Sequence, residues 1–191
     1  MTEPDNSVTA TLGLWRVLYH DINWNSAEEP ADTSGAGRRA LVRSVFAAIE
    51  GTITRLKDST LDLAPMKLGL FTSGELALLR EEDYELTQEG TVHILTARLG
   101  LLPNLRFTLA MLQRAASSKA PIDYGGQGWQ QLRTSVKVRD RLMHPKKPGD
   151  LEVTGDEIKA LKGAWEWFRK HVSLLLDDAK TYLSSVRPRQ V

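Results

Sequence analysis

The sequence contains no cysteine, which excludes disulfide bonds, thiolate metal sites and a cysteine nucleophile. It also has no apolar run near the roughly 20 residues that a membrane-spanning helix needs. The first residues, Met1 to Ser7, are acidic and polar, so they lack the apolar core of a signal peptide. These absences predict a cytoplasmic protein with no membrane partner.

The length of 191 residues is most simply explained by one domain that covers residues 1–191. A chain of this size buries roughly 70% of its unfolded surface, so it needs no metal or disulfide to fold. We expect residues 1–7 and 186–191 to be flexible. The histidines His20, His93 and His171 are scattered and make no metal-ligand set, so we predict neither a metal nor a cofactor.

Apolar residues recur with helical spacing along almost the whole chain, and we find no clear strand and no internal repeat. Thr72 followed by Glu75, and Thr154 followed by Glu157, are predicted capping boxes that begin two helices. The first helix is expected to reach Leu86, and helical pattern resumes from Thr91 until Pro103 breaks or kinks it. Other predicted helices cover Val8–Asn23, Arg38–Lys57, Leu105–Ala116 and Trp129–Met143.

The strongest helical pattern follows the second capping box. Its apolar residues alternate at spacings of three and four, which is typical of a packing seam. The seam contains Ile158, Leu161, Trp165, Phe168, Val172, Leu175, Ala179 and Tyr182, and it is widened by Trp167, Leu174, Leu176 and Leu183. We therefore predict an all-α fold, a helical bundle of about five to seven helices with a long C-terminal amphipathic helix.

The net charge is only +1, but charges of each sign are concentrated. Residues 133–147 contain six basic residues and one acidic residue, whereas residues 75–89 contain six acidic residues and one basic residue. The basic segment is suited to binding a polyanion. Two solvated helix faces that attract each other would give the same pattern.

The basic segment also contains residues suited to phosphodiester chemistry, within the range 129–148. Arg139 carries a forked set of donors for a phosphate, and His144 is able to exchange a proton near neutral pH. Pro145 ends the helix at His144, because it disfavours a helical conformation in the residue before it. Five residues of helix separate the two side chains by about 140°, so they meet only if His144 turns at the helix end or across a two-fold axis. A histidine that closes a helix whose arginines are solvated is the alternative.

This segment resembles the signature of the HEPN superfamily, in which an arginine, a polar residue and a downstream histidine form R-x4-6-H on an all-α bundle. Arg139, Asp140 and His144 match it over about ten residues, and the helical layout of the chain is compatible with a HEPN-like fold. Many members are metal-independent ribonucleases whose composite cleft forms between two copies. Many serve as toxins or anti-phage effectors.

The resemblance implies a role for each matching residue. His144 would activate a ribose 2′-hydroxyl or protonate the leaving oxygen, Arg139 would stabilise the scissile phosphate, and Asp140 would orient the site. Flanking phosphates would contact the nearby basic residues Arg133, Lys137, Arg141, Lys146 and Lys147. The expected function is an RNA-cleaving homodimer, possessing a phage-defence or toxin role and an acidic antitoxin or regulatory partner. HEPN toxins paired with a nucleotidyltransferase antitoxin often have a tyrosine at the position of Lys146, so the chain departs from that subclass.

A second hypothesis is a non-catalytic helical module whose basic end binds a partner protein or nucleic acid. Elsewhere, Trp129 is a candidate for stacking on a base, whereas Trp165 and Trp167 are expected in the core. His93 is predicted to lie in an apolar helix as a core or boundary residue.

Overall fold

The computed structural model describes residues 11, 13–15, 17–23, 35–67 and 69–186, and these are mostly helical. Residues 11, 13–15 and 17–23 are helical, as the first predicted helix requires. The larger helices are α1 (Ala36–Leu63), α2 (Ser73–Leu79), α3 (Leu101–Ala115), α4 (Gln127–Met143) and α5 (Gly155–Val186). The prediction of an all-α fold is therefore confirmed. Within these described ranges, no helix is both long and apolar enough to cross a membrane.

The chain divides into two compact units. The first, here the motif unit, comprises Leu12–Thr52 and Pro121–Leu174. The second, here the hairpin unit, comprises Met1–Thr11, Ile53–Ala120 and Leu175–Val191. One domain over residues 1–191 stays a prediction. The flexibility expected of residues 1–7 and 187–191 concerns residues outside those described, whereas Val186 is the last residue of α5.

The core of the motif unit is built from apolar residues at helical spacing on α1, α4 and α5. Its fully buried members include Leu41, Ile49, Leu132, Phe168 and Val172. Trp165 and Trp167 are also buried, which agrees with their predicted place in the core. Trp129 is only 5% exposed, and its ring lies 5.1 Å from Trp167 and 5.0 Å from Tyr124. The prediction that Trp129 stacks on a base is wrong, because the residue is buried among other aromatic rings.

The hairpin unit contains two strands that the sequence analysis missed. Strand β1 (Glu82–Leu86) pairs antiparallel with β2 (Val92–Thr96), and Tyr84 lies opposite Ile94. Alternation of Val92, Ile94 and Thr96 favours a strand, because β-branched residues at a spacing of two fit a pleated surface. Gly90 supplies the positive φ of +78° in the connecting turn. The helix predicted to reach Leu86 ends at Leu79, and the helix predicted from Thr91 is β2.

Two further corrections concern Pro103 and His93. Pro103 lies in the first turn of α3, where the backbone N–H has no partner within the helix, so it belongs to a helix start rather than a break. His93 lies on β2 and is exposed, and the prediction of a buried helical histidine is wrong. The helix was wrongly predicted at His93 because the run from residue 82 to residue 96 has its apolar residues on an exposed face, where burial does not impose one period.

The long C-terminal helix and both capping boxes are present. The Thr72 hydroxyl accepts from the Glu75 N–H at 3.2 Å, and the Thr154 hydroxyl accepts from the Glu157 N–H at 3.2 Å. The predicted seam on α5 is buried from Ile158 to Ala179, with Tyr182 half-buried. Leu174 is an exception to the widened seam, since 43% of it is exposed.

Candidate functional site

Helix α4 ends where the sequence predicts. Its last residue is Met143, and His144 is the C-cap, whose backbone N–H still donates to the Asp140 carbonyl at 3.1 Å. The next residue is Pro145, which disfavours further helix. His144 therefore continues the helical register for one residue, and its side chain is exposed.

The faces of α4 have separate partners. The inner face is buried through Trp129, Leu132, Ser135, Val138 and Leu142. The outer face carries four exposed ionisable residues in a row, which we call the outer stripe. Its members follow one another at spacings of four, three and four: Arg133, Lys137, Asp140 and His144. Because such spacings place residues on one side of a helix, three polar residues of the predicted site share the face of His144.

Arg139 lies beside the outer stripe and engages two carboxylates. Its Nη2 donates to Glu50 Oε1 of α1 at 2.5 Å, and its Nη1 donates to Asp140 Oδ1 at 3.0 Å. Burial favours the neutral guanidine, but the hydrogen bond that Arg139 donates to Asp140 and the charge of Glu50 outweigh it and raise the pKa of Arg139. Two carboxylates therefore hold the Arg139 guanidinium in place, and one of them, Asp140, belongs to the outer stripe.

No hydrogen bond joins the side chains of Arg139 and His144 among the described residues. The guanidinium of Arg139 is directed to α1, whereas His144 lies about 140° away around α4, as the five-residue spacing requires. The His144 side chain has no hydrogen-bond or ion-pair partner in the described part of the chain. Within one chain, Asp140 is hydrogen-bonded to Arg139 through its carboxylate and to His144 through its backbone carbonyl, but Arg139 and His144 are not hydrogen-bonded to each other.

Arg141 has a structural role on the other flank of α4. Its Nη1 and Nη2 donate to the two carboxylate oxygens of Glu157 at 3.0 and 3.2 Å. Its Nε donates to the Asp150 carbonyl at 3.0 Å, and its Nη2 also donates to the Glu152 carbonyl at 2.5 Å. These four bonds use most of the five donors of a guanidinium, so we assign Arg141 to fixing the turn after α4.

Lys146 and Lys147 follow in that turn with their side chains exposed. Both backbone N–H groups donate to Asp150 Oδ2, at 2.8 and 3.2 Å, and these bonds lower the pKa of Asp150. The 3₁₀ helix Pro148–Leu151 continues the turn. Arg38 and Arg39 at the start of α1 donate to the Val153 and Leu151 carbonyls, at 3.1 and 3.4 Å. A rigid turn therefore presents two lysines beside His144.

The start of α4 is also fixed by polar contacts. Asp123 Oδ1 accepts from the N–H groups of Gly125 and Gly126, at 3.0 and 2.7 Å. The Asp123 carbonyl accepts from Trp167 Nε1 at 2.8 Å, and its N–H donates to His171 Nε2 at 3.3 Å. Side chains of α5 thus hold the glycine-rich loop in which α4 begins.

Two features of the site were not predicted. Glu50 is the acidic partner of Arg139, and the only available signal was that it is the one carboxylate between residues 38 and 57. A cavity of about 270 Å³ lies beside this ion pair, and it is lined by Val42, Arg43, Phe46, Ala47, Glu50, Arg139, Leu142 and Met143. Among the described residues, no cluster of three or more histidine, aspartate or glutamate side chains is placed to hold a metal ion.

Comparison with known proteins adds no family to this geometry: no family model matches the chain, and neither a curated protein nor a solved structure is significantly similar to it.

Proposed function

We propose that this protein is a HEPN-type endoribonuclease that cleaves RNA through attack by a ribose 2′-hydroxyl. The observation that carries the proposal is the exposed His144 at the end of the outer stripe, without a partner among the described residues, and next in register to Asp140. A proton-transfer group has to reach substrate, and this histidine is accessible. Arg133 and Lys137 on the same stripe supply positive charge along its approach.

The chemistry follows from these groups. His144 accepts the proton of the 2′-hydroxyl as the 2′-oxygen forms a bond to phosphorus. The bond from phosphorus to the 5′-oxygen breaks, and that oxygen takes a proton from a second acid. The products are a 2′,3′-cyclic phosphate and a 5′-hydroxyl, so DNA is not a substrate. Arg139 stabilises the charge that develops on the phosphoryl oxygens.

A second copy of the chain would supply the groups that one copy does not bring together. Within one chain Arg139 and His144 point to different sides of α4. A two-fold axis that paired the C-terminal ends of two α4 helices would bring His144 of each copy to the corresponding end of the other. We therefore propose a homodimer in which one histidine acts as the base and the other as the acid.

RNA cleavage by the purified full-length protein in EDTA tests this function. We expect cyclic-phosphate ends, and a single 2′-deoxy substitution should block cleavage at that position. His144→Ala should reduce cleavage at least about 100-fold, which is the usual contribution of a general acid or base. His93→Ala, which removes another exposed histidine, is the matched control and should retain activity. Intact RNA with the wild type, or an equally active His144→Ala, would reject the proposal.

A non-catalytic binding module is the second candidate, and the pairing of Arg139 favours it. Both Glu50 and Asp140 already satisfy the guanidinium, so a phosphate has to compete with two carboxylates. A wild type that binds RNA or a partner protein but leaves RNA intact would support this candidate.

The biological setting we propose is a toxin or anti-phage effector held inactive by an acidic partner. The exposed Arg133, Lys137, Lys146 and Lys147 match such a partner in charge. Induced expression should stop growth with the wild type and not with His144→Ala. Equal toxicity of both would separate growth arrest from the proposed ribonuclease.

A further inference from the structure

The hairpin of β1 and β2 presents an exposed apolar face. Tyr84, Leu86, Val92 and Ile94 are 52%, 71%, 61% and 64% exposed. Because Leu86 lies opposite Val92 and Tyr84 opposite Ile94, all four side chains are on one face. A two-stranded hairpin is marginally stable unless another strand or a helix covers an apolar face. This face is therefore suited to a partner.

The backbone of the same residues is directed to the outer edges of the hairpin. Thr87 N–H donates to the Thr91 carbonyl, and Ala97 N–H donates to the Glu81 carbonyl. Hydrogen-bonded pairs alternate with non-bonded pairs along an antiparallel ladder. In this register, the non-bonded pairs are Glu82·Thr96, Tyr84·Ile94 and Leu86·Val92, whose N–H and C=O groups point outward.

The two edges differ in how they are protected. On β1, one of the three outward N–H groups, that of Tyr84 at the centre of the strand, donates to the Asp83 carboxylate at 2.9 Å, and the Tyr84 hydroxyl donates to Glu82 at 2.7 Å. On β2, the outward N–H groups of Val92, Ile94 and Thr96 have no hydrogen bond to any described residue. An uncapped edge of this kind is a template for another strand, whereas charge and a capped N–H protect an edge.

The negative charge of the hairpin determines which kind of partner it favours. Residues 81–97 contain no lysine or arginine and five carboxylates, namely Glu81, Glu82, Asp83, Glu85 and Glu89. Glu81 is paired with Lys57 at 3.0 Å, and four carboxylates lie on or between the strands. Such a surface repels nucleic acid, an anionic membrane and a second identical hairpin.

We propose that the β2 edge, Val92–Thr96, binds an extended segment of a partner protein that alternates apolar and basic residues. The segment adds a third strand through the outward backbone groups of β2. Its apolar side chains extend the face of Val92 and Ile94. Its basic side chains lie on the opposite face, where His93 and Leu95 of β2 are adjacent and where Asp83 and Glu85 of β1 lie two strand spacings, about 10 Å, away. That distance is within reach of a lysine side chain that extends across β2.

Binding of a labelled Lys-Val-Lys-Val-Lys-Val-Lys peptide to the full-length protein, followed by fluorescence anisotropy, tests the proposal. We expect binding at least roughly tenfold tighter than that of the matching Glu-Val peptide. Amides of 92–96 should gain protection from hydrogen exchange in the complex. Equal binding of the two peptides, or none of the Lys-Val peptide, would overturn the proposal.

Two proline variants form a matched pair. Ile94→Pro and Tyr84→Pro each remove one outward N–H and one exposed apolar side chain, on opposite edges. We expect Ile94→Pro to weaken the Lys-Val peptide by roughly tenfold or more, and Tyr84→Pro to have a much smaller effect. Equal losses would contradict an edge-specific site.

A charge-reversal variant keeps the test decisive if a proline unfolds the hairpin. Glu85→Lys combined with Glu89→Lys should weaken the Lys-Val peptide and strengthen the Glu-Val peptide. Unchanged affinities would overturn the charge argument. Sedimentation of the wild type gives a further outcome: a dimer that Ile94→Pro dissociates would identify a second copy as the occupant and reject the basic partner.

Discussion

Arg139 on α4 and Glu50 on α1 form an ion pair, with Nη2 2.5 Å from Oε1 and both side chains only partly exposed. The pair fixes the orientation of the Arg139 side chain, the arginine of the R-x4-6-H motif. It also sets a carboxylate in competition with any phosphate that approaches that arginine. The proposed ribonuclease therefore depends on how readily Glu50 yields Arg139.

Replacing Glu50 by glutamine removes this competition without changing the size of the side chain. We expect Glu50→Gln to lower the free energy of unfolding by about 0.5–1 kcal/mol, as for a partly exposed ion pair. Affinity for RNA should rise a few-fold, because the guanidinium is freed from one negative charge. Equilibrium binding at fixed salt measures this effect, with Glu166→Gln as the control at another ion pair. An unchanged affinity would indicate that Arg139 does not contact phosphate.

Stability should fall in acid partly through Glu157. Burial raises its pKa, but hydrogen bonds from Arg141 and Thr154 outweigh burial and hold the pKa below 4.5. A carboxylate with a depressed pKa stabilises the fold above its unfolded pKa, and that contribution is lost as pH falls through the folded value. Urea unfolding at about pH 7 and about pH 3.5 should show a smaller loss for Glu157→Gln than for the wild type.

The same substitution should cost about 1–3 kcal/mol at neutral pH, because it weakens charged hydrogen bonds to Arg141. Asp156→Asn is a suitable control, since Asp156 is an exposed neighbour that forms no ion pair with any described residue. A pH dependence that is identical in the wild type and Glu157→Gln would rule out this account.

Two glycines offer a matched test of packing. A Cβ at Gly128 would lie 2.5 Å from the Cβ of Trp167, within the buried aromatic cluster. A Cβ at Gly163 would lie 2.2 Å from Oε1 of Gln131, the movable end of a flexible side chain. We expect Gly128→Ala to destabilise the fold by about 1–3 kcal/mol.

Gly163→Ala should be neutral or stabilising by up to about 1 kcal/mol, because alanine favours a helix interior. Thermal melting of the two variants measures the difference. A similar drop in Tm for both would show that Gln131 is as rigidly held as Trp167.

The Lys57–Glu81 pair gives a prediction for the hairpin unit. The Lys57 side chain is 2% exposed, and its ammonium lies 3.0 Å from Glu81 Oε1. Glu81→Ala leaves that buried ammonium without this partner and should cost about 1–3 kcal/mol. Lys57→Met should cost less than Glu81→Ala, because it replaces the buried ammonium by an apolar side chain and so leaves no buried charge without a partner. Urea unfolding compares them, and a smaller loss for Glu81→Ala would contradict the explanation.

Features written in neighbouring residues were predictable from the sequence. Each capping box needs only a threonine and a glutamate three positions later, and Pro145 marks the end of α4 by itself. The outer stripe also follows from spacing once the helix is known. These features depend on short-range geometry, which one sequence contains.

Other features depend on tertiary contacts that the pattern does not encode. Glu50 and Arg139 are 89 residues apart, so no local rule joins them. The hairpin was mistaken for helix because its acidic residues and scattered leucines also fit a solvated helix. Trp129 begins a basic helix, yet it is buried because α5 places Trp167 beside it. Neighbours, rather than residue type, decided each of these outcomes.

Glu157 connects the first turn of α5 to the end of α4, so the two should open together. It accepts from the Thr154 N–H at 2.9 Å to close the first turn of α5, and it binds Arg141, which in turn holds the 150 and 152 carbonyls. Fraying of that first turn would therefore release the end of α4 at the same time. Local opening of proteins proceeds in cooperative segments. Residues 141–157 should open as one such segment. The backbone amide of His144, at the end of α4, should therefore show the same native-state hydrogen-exchange kinetics as the amides at the start of α5.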